Sequence, residues 1–170
     1  FTFGQNLDPD IMYNTPFFDA EGTVNKDYRF NFIEKGVLKA PYCDKKTAHK
    51  YGLTPTGSAT ASYDGVSQSS PIRLYIERTA DNVKRLLGGQ LGILAIVYDG
   101  GDFTPKGDYA TPVQLAFLFD GERIIGRLPE FNMSSNIFEM YGPGYRGTAP
   151  CTFLPFSTGD FTVIEMDVSL

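Results

Sequence analysis

Residues 19–59 read DAEGTVNKDYRFNFIEKGVLKAPYCDKKTAHKYGLTPTGSA, and this stretch decides the fold class. Phe30 and Phe32 fall on one face of an extended segment at residues 29–34, because successive side chains alternate across a strand. Lys35-Gly36 then reverses the chain into residues 37–40, with glycine placed where a positive φ is cheap. The pair predicts a hairpin with at least one buried face. Asp44 follows as the N-cap of a short helix over residues 45–51, with Lys50 near its negative end and Gly52 just beyond. Residues 53–70 are rich in Gly, Ser, Thr and Ala and short of large apolar groups, so they read as a loop or an open edge.

Working outward, residues 1–15 carry no clear period and read as an irregular opening segment or a strand that has lost its partner. Pro71 opens a strand at residues 72–77, where Ile72, Leu74 and Ile76 alternate with Arg73 and Tyr75. Thr79 precedes a helix whose Val83, Leu86 and Leu87 form one stripe, ended by Gly88-Gly89. Residues 91–98 are apolar apart from Gly92 and read as a central strand. Residues 112–119 and 123–128 flank Asp120-Gly121, a strong hairpin signal. Ser134 or Ser135 opens a third helix with Ile137, Met140 and Tyr141 on one side, closed by Gly142-Pro143. Residues 153–156 and 161–168 finish as strands. The expected class is α+β: a mostly antiparallel β sheet or barrel with about three short helices, in a single domain spanning residues 1–170.

The bulk numbers bound the function. A 170-residue chain that is 42% hydrophobic, with 14 Phe and 10 Tyr, can bury a real core. The net charge is −5 and no basic run exceeds Lys45-Lys46, so no electrostatic surface for nucleic acid is expected. The run at residues 91–98 is far short of the roughly 20 residues of a membrane span, so no membrane partner is expected. Cys43 and Cys151 are too few for a disulfide scaffold and are expected as free thiols in a cytoplasmic protein. The chain opens on Phe1 rather than Met and is expected to be excised from a longer protein.

Few residues carry chemistry. His49 is the sole histidine, and no His or Cys lies at helical spacing from it, so an exposed helix residue is expected rather than a ligand or base. Asp99-Gly100-Gly101-Asp102 clusters oxygens but lacks the spacing and bidentate Glu of a calcium loop, and reads as a turn. One histidine supports no Ser-His-Asp set, and no glycine-rich phosphate cradle precedes a helix. No catalytic residue is assigned. Thr56, Gly57 and Ser58 are the substrate-binding candidates: small residues with donors let another backbone approach, which suits capture of an extended peptide by strand addition.

The acidic-Gly-Thr turn at Glu21-Gly22-Thr23, the Ile33-Glu34-Lys35-Gly36-Val37-Leu38 hairpin, the helix from Asp44 to Gly52 and the Thr56-Gly57-Ser58-Ala59 loop occur in an order that resembles the TldD/PmbA proteins. These are called modulators of DNA gyrase and regarded as metallopeptidases that mature or degrade peptides. Residues 71–76, Gly101-Asp102-Phe103, Asp120-Gly121-Glu122 with Gly126, and Asn136-Ile137-Phe138 extend the likeness from Phe18 to the end of the chain. The resemblance implies a carboxy-terminal domain, with the amino-terminal half of the same protein or a TldD/PmbA-type subunit as partner, and a peptide substrate threading between domains of a homo- or heterodimer.

Zinc-bearing members carry a His-Glu-x-x-x-His helix in their other half, which this chain lacks. They also take a cysteine from the last glycine-rich segment. Anchored on Pro155, that position falls near Gly147, and Cys151 comes about four residues late, followed by Thr152. Cys151 is therefore the one metal candidate here, with a buried structural thiol the favoured reading. No cofactor is expected in this chain, though zinc belongs to full-length members. The expected role is a domain shaping the peptide path or the dimer interface of a peptidase or its non-catalytic partner, inactive alone. The alternatives are a stand-alone ligand-binding β-domain for carbohydrate, aromatic-rich but without Trp, or a structural assembly module.

Overall fold

The computed structural model describes residues 1–11, 16–151 and 159–170. They divide into two compact units, Phe1–Glu77 and Arg78–Leu170.

The first unit runs β1 (Phe3–Asn6), β2 (Arg29–Glu34), β3 (Val37–Leu38), α1 (Lys45–Tyr51), β4 (Ala59–Thr60), β5 (Gln68–Ser69) and β6 (Leu74–Ile76). Four of these strands form an antiparallel sheet in the order β3-β2-β1-β6, and β4 pairs with β5. The opening segment is thus a strand with both partners inside the chain. Lys35 and Gly36 close the β2–β3 hairpin with φ of 50° and 81°. The tilted rings of Phe30 and Phe32 lie 5.5 Å apart on one face, and Phe3 meets Phe32 at 6.1 Å. Asp44 Oδ1 accepts the Thr47 amide at 2.6 Å to cap α1, and Gly52 ends it at φ 66°. The last strand is shorter than the alternation at residues 72–77 suggests, because Arg73 takes φ 48° and leaves the extended region.

The second unit runs α2 (Val83–Leu87), β7 (Gly92–Tyr98), β8 (Asp102–Phe103), β9 (Asp108–Phe119), β10 (Ile124–Arg127), β11 (Phe131–Asn136), α3 (Ile137–Met140), β12 (Tyr145–Pro150), β13 (Asp160–Ile164) and β14 (Asp167–Ser169). The twelve-residue β9 is the spine: β7, β8, β10 and β11 all pair antiparallel along it, and β14 adds to β11. Leu94 and Phe119 join Val83 and Ala149 in one apolar cluster. Val113, Ala116 and Phe131 form another.

Several local expectations shift. The apolar run at residues 91–98 is not central: β7 pairs with β9 alone among the described residues, burying Leu94 while Ile93, Ile96, Val97 and Tyr98 stay exposed. Ser134 and Ser135 belong to β11, and it is Asn136 whose Oδ1 accepts the Phe138 amide at 3.0 Å to start α3. Thr79 precedes α2 and its Oγ1 accepts the Thr148 amide, while Asn82 Oδ1 accepts the Arg85 amide to cap the helix. The closing strand at residues 161–168 is split into β13 and β14, and the one placed at residues 153–156 lies outside the described residues. The class is α+β, with mostly antiparallel sheets and three short helices, and no barrel closes among the described residues. No helix there is long and apolar enough to cross a membrane.

Candidate functional site

The loop at Thr56, Gly57 and Ser58 is the most densely tied polar feature of the first unit. Gly57 adopts φ 69°, a left-handed turn that lets the hydroxyls of its two neighbours meet at 2.8 Å. Thr56 and Ser58 are fully buried, so every polar atom they carry inward needs a partner. Gln5, projecting from β1 and itself fully buried, bonds all three residues of the loop. Its Nε2 donates to the carbonyls of Thr56 at 2.8 Å and Gly57 at 2.6 Å. Its Oε1 accepts the Ser58 hydroxyl at 3.0 Å and the Ile72 amide at 3.4 Å. Two donors and two acceptor positions are thereby all used.

Other segments close the cluster. Asn25 Nδ2 donates to the Thr56 carbonyl at 2.9 Å, and the Cys43 amide donates to Thr56 Oγ1 at 2.8 Å. The buried Cys43 thiol donates to the Thr54 carbonyl. Asp19, also buried, accepts the Ala59 amide on one carboxylate oxygen and the Glu21 and Thr23 amides on the other. Hydrogen bonds from Thr47, by its side chain and then its backbone, hold the Asp44 carboxyl below its ordinary value where the helix begins. A Cβ built on Gly57 would stand 2.6 Å from Asn25 Nδ2, so the close approach that glycine permits here is that of the chain's own side chains.

Chemically the cluster is a hydrogen-bond network that holds the loop in shape. None of the bonds to the Thr56 or Ser58 hydroxyl comes from a His, Asp or Glu, so neither is activated as a nucleophile. His49 is exposed on α1. In the second unit an open cleft of about 530 Å³ is lined by Asp102, Asp108, Glu139 and Asp167, with Asp108 already engaged by Thr104 and Asn136.

The described residues do not bring together a zinc ligand set. Among the described residues no three His, Cys, Asp or Glu side chains are grouped to hold a metal. Cys43 and Cys151 are free. Position 147, where the resemblance would set a ligand, is closed: Gly147 has φ 139°, and a side chain there would meet Thr79 Oγ1 and, at 2.6 Å, Leu86.

The sequence brought Thr56, Gly57 and Ser58 forward but gave no warning of Gln5, Asn25 or Asp19, which hold them. The available signal was a run of small hydroxyl residues without charge, which needs amide or carboxylate partners if buried.

Residues 6–149 match the family described as the PmbA/TldA metallopeptidase C-terminal domain. An uncharacterized protein of Methanocaldococcus jannaschii is 28% identical over 123 residues, covering 72% of this chain and 29% of its own length. The fold is similar to that of TldE from Thermococcus kodakarensis, with a TM-score of 0.72 at 21% identity over 99% of this chain and 39% of that one. It is similar also to a Bacteroides thetaiotaomicron protein described as a candidate modulator of DNA gyrase, with a TM-score of 0.67 at 22% identity over 99% of this chain and 36% of that one. The chain thus spans well under half the length of these relatives. With a matched region reaching from the end of β1 nearly to the end of β12, the chain belongs to the PmbA/TldD family and represents its carboxy-terminal domain.

Proposed function

We propose that residues 1–170 act as one functional domain that shapes the peptide path or the dimer interface of a TldD/PmbA-type peptidase or of its non-catalytic partner. The observation that carries this reading is the inward-turned Thr56-Gly57-Ser58 loop. Gln5, Asn25, Cys43 and Asp19 fix its backbone, yet no base reaches its hydroxyls. Such a loop is suited to holding a surface in shape for an extended chain rather than to cutting it. Thr56, Gly57 and Ser58 are buried positioning residues in this account and do not themselves touch peptide. The amino-terminal half of the same protein, or a second TldD/PmbA-type subunit, supplies the catalytic metal. The free thiols suit a cytoplasmic assembly.

Thr56→Val tests the reading, because it keeps the shape and removes the hydroxyl that ties the loop to Cys43 and Ser58. In the complete assembly, KM for an unstructured peptide should rise about fivefold, an effect of about 1 kcal/mol, with kcat changed less. An unchanged KM alongside a lowered melting temperature would show that the loop serves stability alone.

A further inference from the structure

The sequence holds three Asp-Gly pairs, at residues 64–65, 99–100 and 120–121, and no Asn-Gly pair. Such a pair carries its own chemistry. The glycine nitrogen can attack the aspartyl carboxyl carbon to close a five-membered ring, and water can reopen that ring at either carbonyl. Glycine permits this because no side chain crowds the attacking nitrogen. The reaction needs the nitrogen held against the carboxyl with room around both, so the fold decides which pair reacts.

The three pairs are held differently. The Gly100 amide donates to Asp99 Oδ1 at 2.7 Å, and both residues are exposed. Nothing lies within 4 Å of where a Gly100 side chain would begin. At Asp64, by contrast, the Gly65 amide is turned to the Ser62 carbonyl at 3.0 Å. Asp120 Oδ1 accepts the Glu122 and Arg123 amides at 2.9 and 2.8 Å. Those two bonds hold its carboxyl below the ordinary value, in the ionised form that gives up an oxygen poorly. Gly121 is also buried, with Lys84 Cα 2.5 Å from its Cβ position. Asp102 repeats the Asp99 contact, its Oδ1 accepting the Phe103 amide at 2.8 Å, but there a phenylalanine side chain flanks the nitrogen.

We infer that Asp99 is the site at which this chain converts to isoaspartate. The Gly100 nitrogen bonds to Asp99 Cγ and gives up its proton, Cγ gives up a hydroxyl, and the two leave as one water. A second water then adds to the main-chain carbonyl carbon of Asp99 and breaks its bond to the Gly100 nitrogen. The freed group is an α-carboxylate, and the chain now continues through Cβ and Cγ. Atoms balance with water alone, and no oxidant, metal or cofactor takes part. The main chain gains one carbon in the short link between Tyr98, paired to Val113, and Asp102, paired to Ala110. That link lies tightly on β9, since a Cβ on Gly101 would stand 2.5 Å from Thr111 Cβ. The added length therefore disturbs the joint seating of β7 and β8. The conversion is independent of any peptide-guiding role.

Ageing the purified chain in warm neutral buffer, then digesting it and mapping the peptides by mass spectrometry with electron-transfer fragmentation, tests the assignment. Isoaspartate should accumulate at Asp99 at least about fivefold faster than at Asp64, Asp120 or Asp102. In concentrated urea the lead over the other two Asp-Gly pairs should vanish, because only the fold separates them. Asp99→Glu would need a six-membered ring and should remove most of the isoaspartate in the whole chain, counted by enzymatic methylation. No isoaspartate at Asp99, an equal or faster rate at Asp64 or Asp120, or a lead that persists in urea overturns the inference.

Discussion

Gln5 and Ser58 stand 53 positions apart in sequence and share a 3.0 Å hydrogen bond in the interior of the first unit. Through that bond and its three companions, β1 and the Thr56–Ser58 loop become one polar cluster. A half-satisfied buried network costs more than an apolar one, so the cluster should be sensitive to loss of any member.

Gln5→Leu keeps the volume and removes every bond. The Gly57 carbonyl and the Ser58 hydroxyl hydrogen would be left buried without this partner, at about 1–3 kcal/mol for each group. Urea unfolding should show a loss of about 2–4 kcal/mol. A loss below about 1 kcal/mol would mean that water takes the place of the amide.

Gly57→Ala should destabilise for two separable reasons: a φ of 69°, and a methyl group 2.6 Å from Asn25 Nδ2. The combined cost is expected at about 1–3 kcal/mol. Adding Asn25→Ser should relieve the collision but not the dihedral, so a double-mutant cycle should recover part of the loss. Strictly additive effects would contradict the close packing of this pair.

The Asp44 carboxyl is depressed first by its hydrogen bonding with Thr47. A carboxyl with a lowered folded-state pKa contributes stability that is fully present above its unfolded value, about 3.9, and is lost as pH falls through the folded value. The stability gap between wild type and Asp44→Asn should therefore be present at neutral pH and shrink in acid. Denaturant titrations at neutral and acid pH check this; a gap that widens in acid would reverse the sign.

What was legible in the sequence was local. Asp44 and Gly52 mark both ends of α1 in the sequence, and Asp120 accepts the Glu122 and Arg123 amides that shape the β9–β10 turn. What was hidden was long-range. Residues 3–6 show no period because their identity as a strand comes from β2 and β6 on either side. The segment Phe131–Asn136 looks polar, yet it is a strand because β9 and β14 flank it. The continuous apolarity of β7 suggested burial on both sides, but pairing is supplied on one edge only. For the candidate site, the small residues of the loop pointed to themselves, whereas Gln5 acts through geometry that no neighbouring residue announces.

In the proposed function this domain guides peptide without cutting it. The most direct measurement is hydrolysis of an unstructured peptide by the purified chain near neutral pH, followed by mass spectrometry. The account predicts no turnover above buffer, because amide hydrolysis needs an activated nucleophile and a stabilised oxyanion and the tied hydroxyls of Thr56 and Ser58 supply neither. Turnover that survives repurification and disappears on substitution of His49, Ser58 or Cys151 would contradict it.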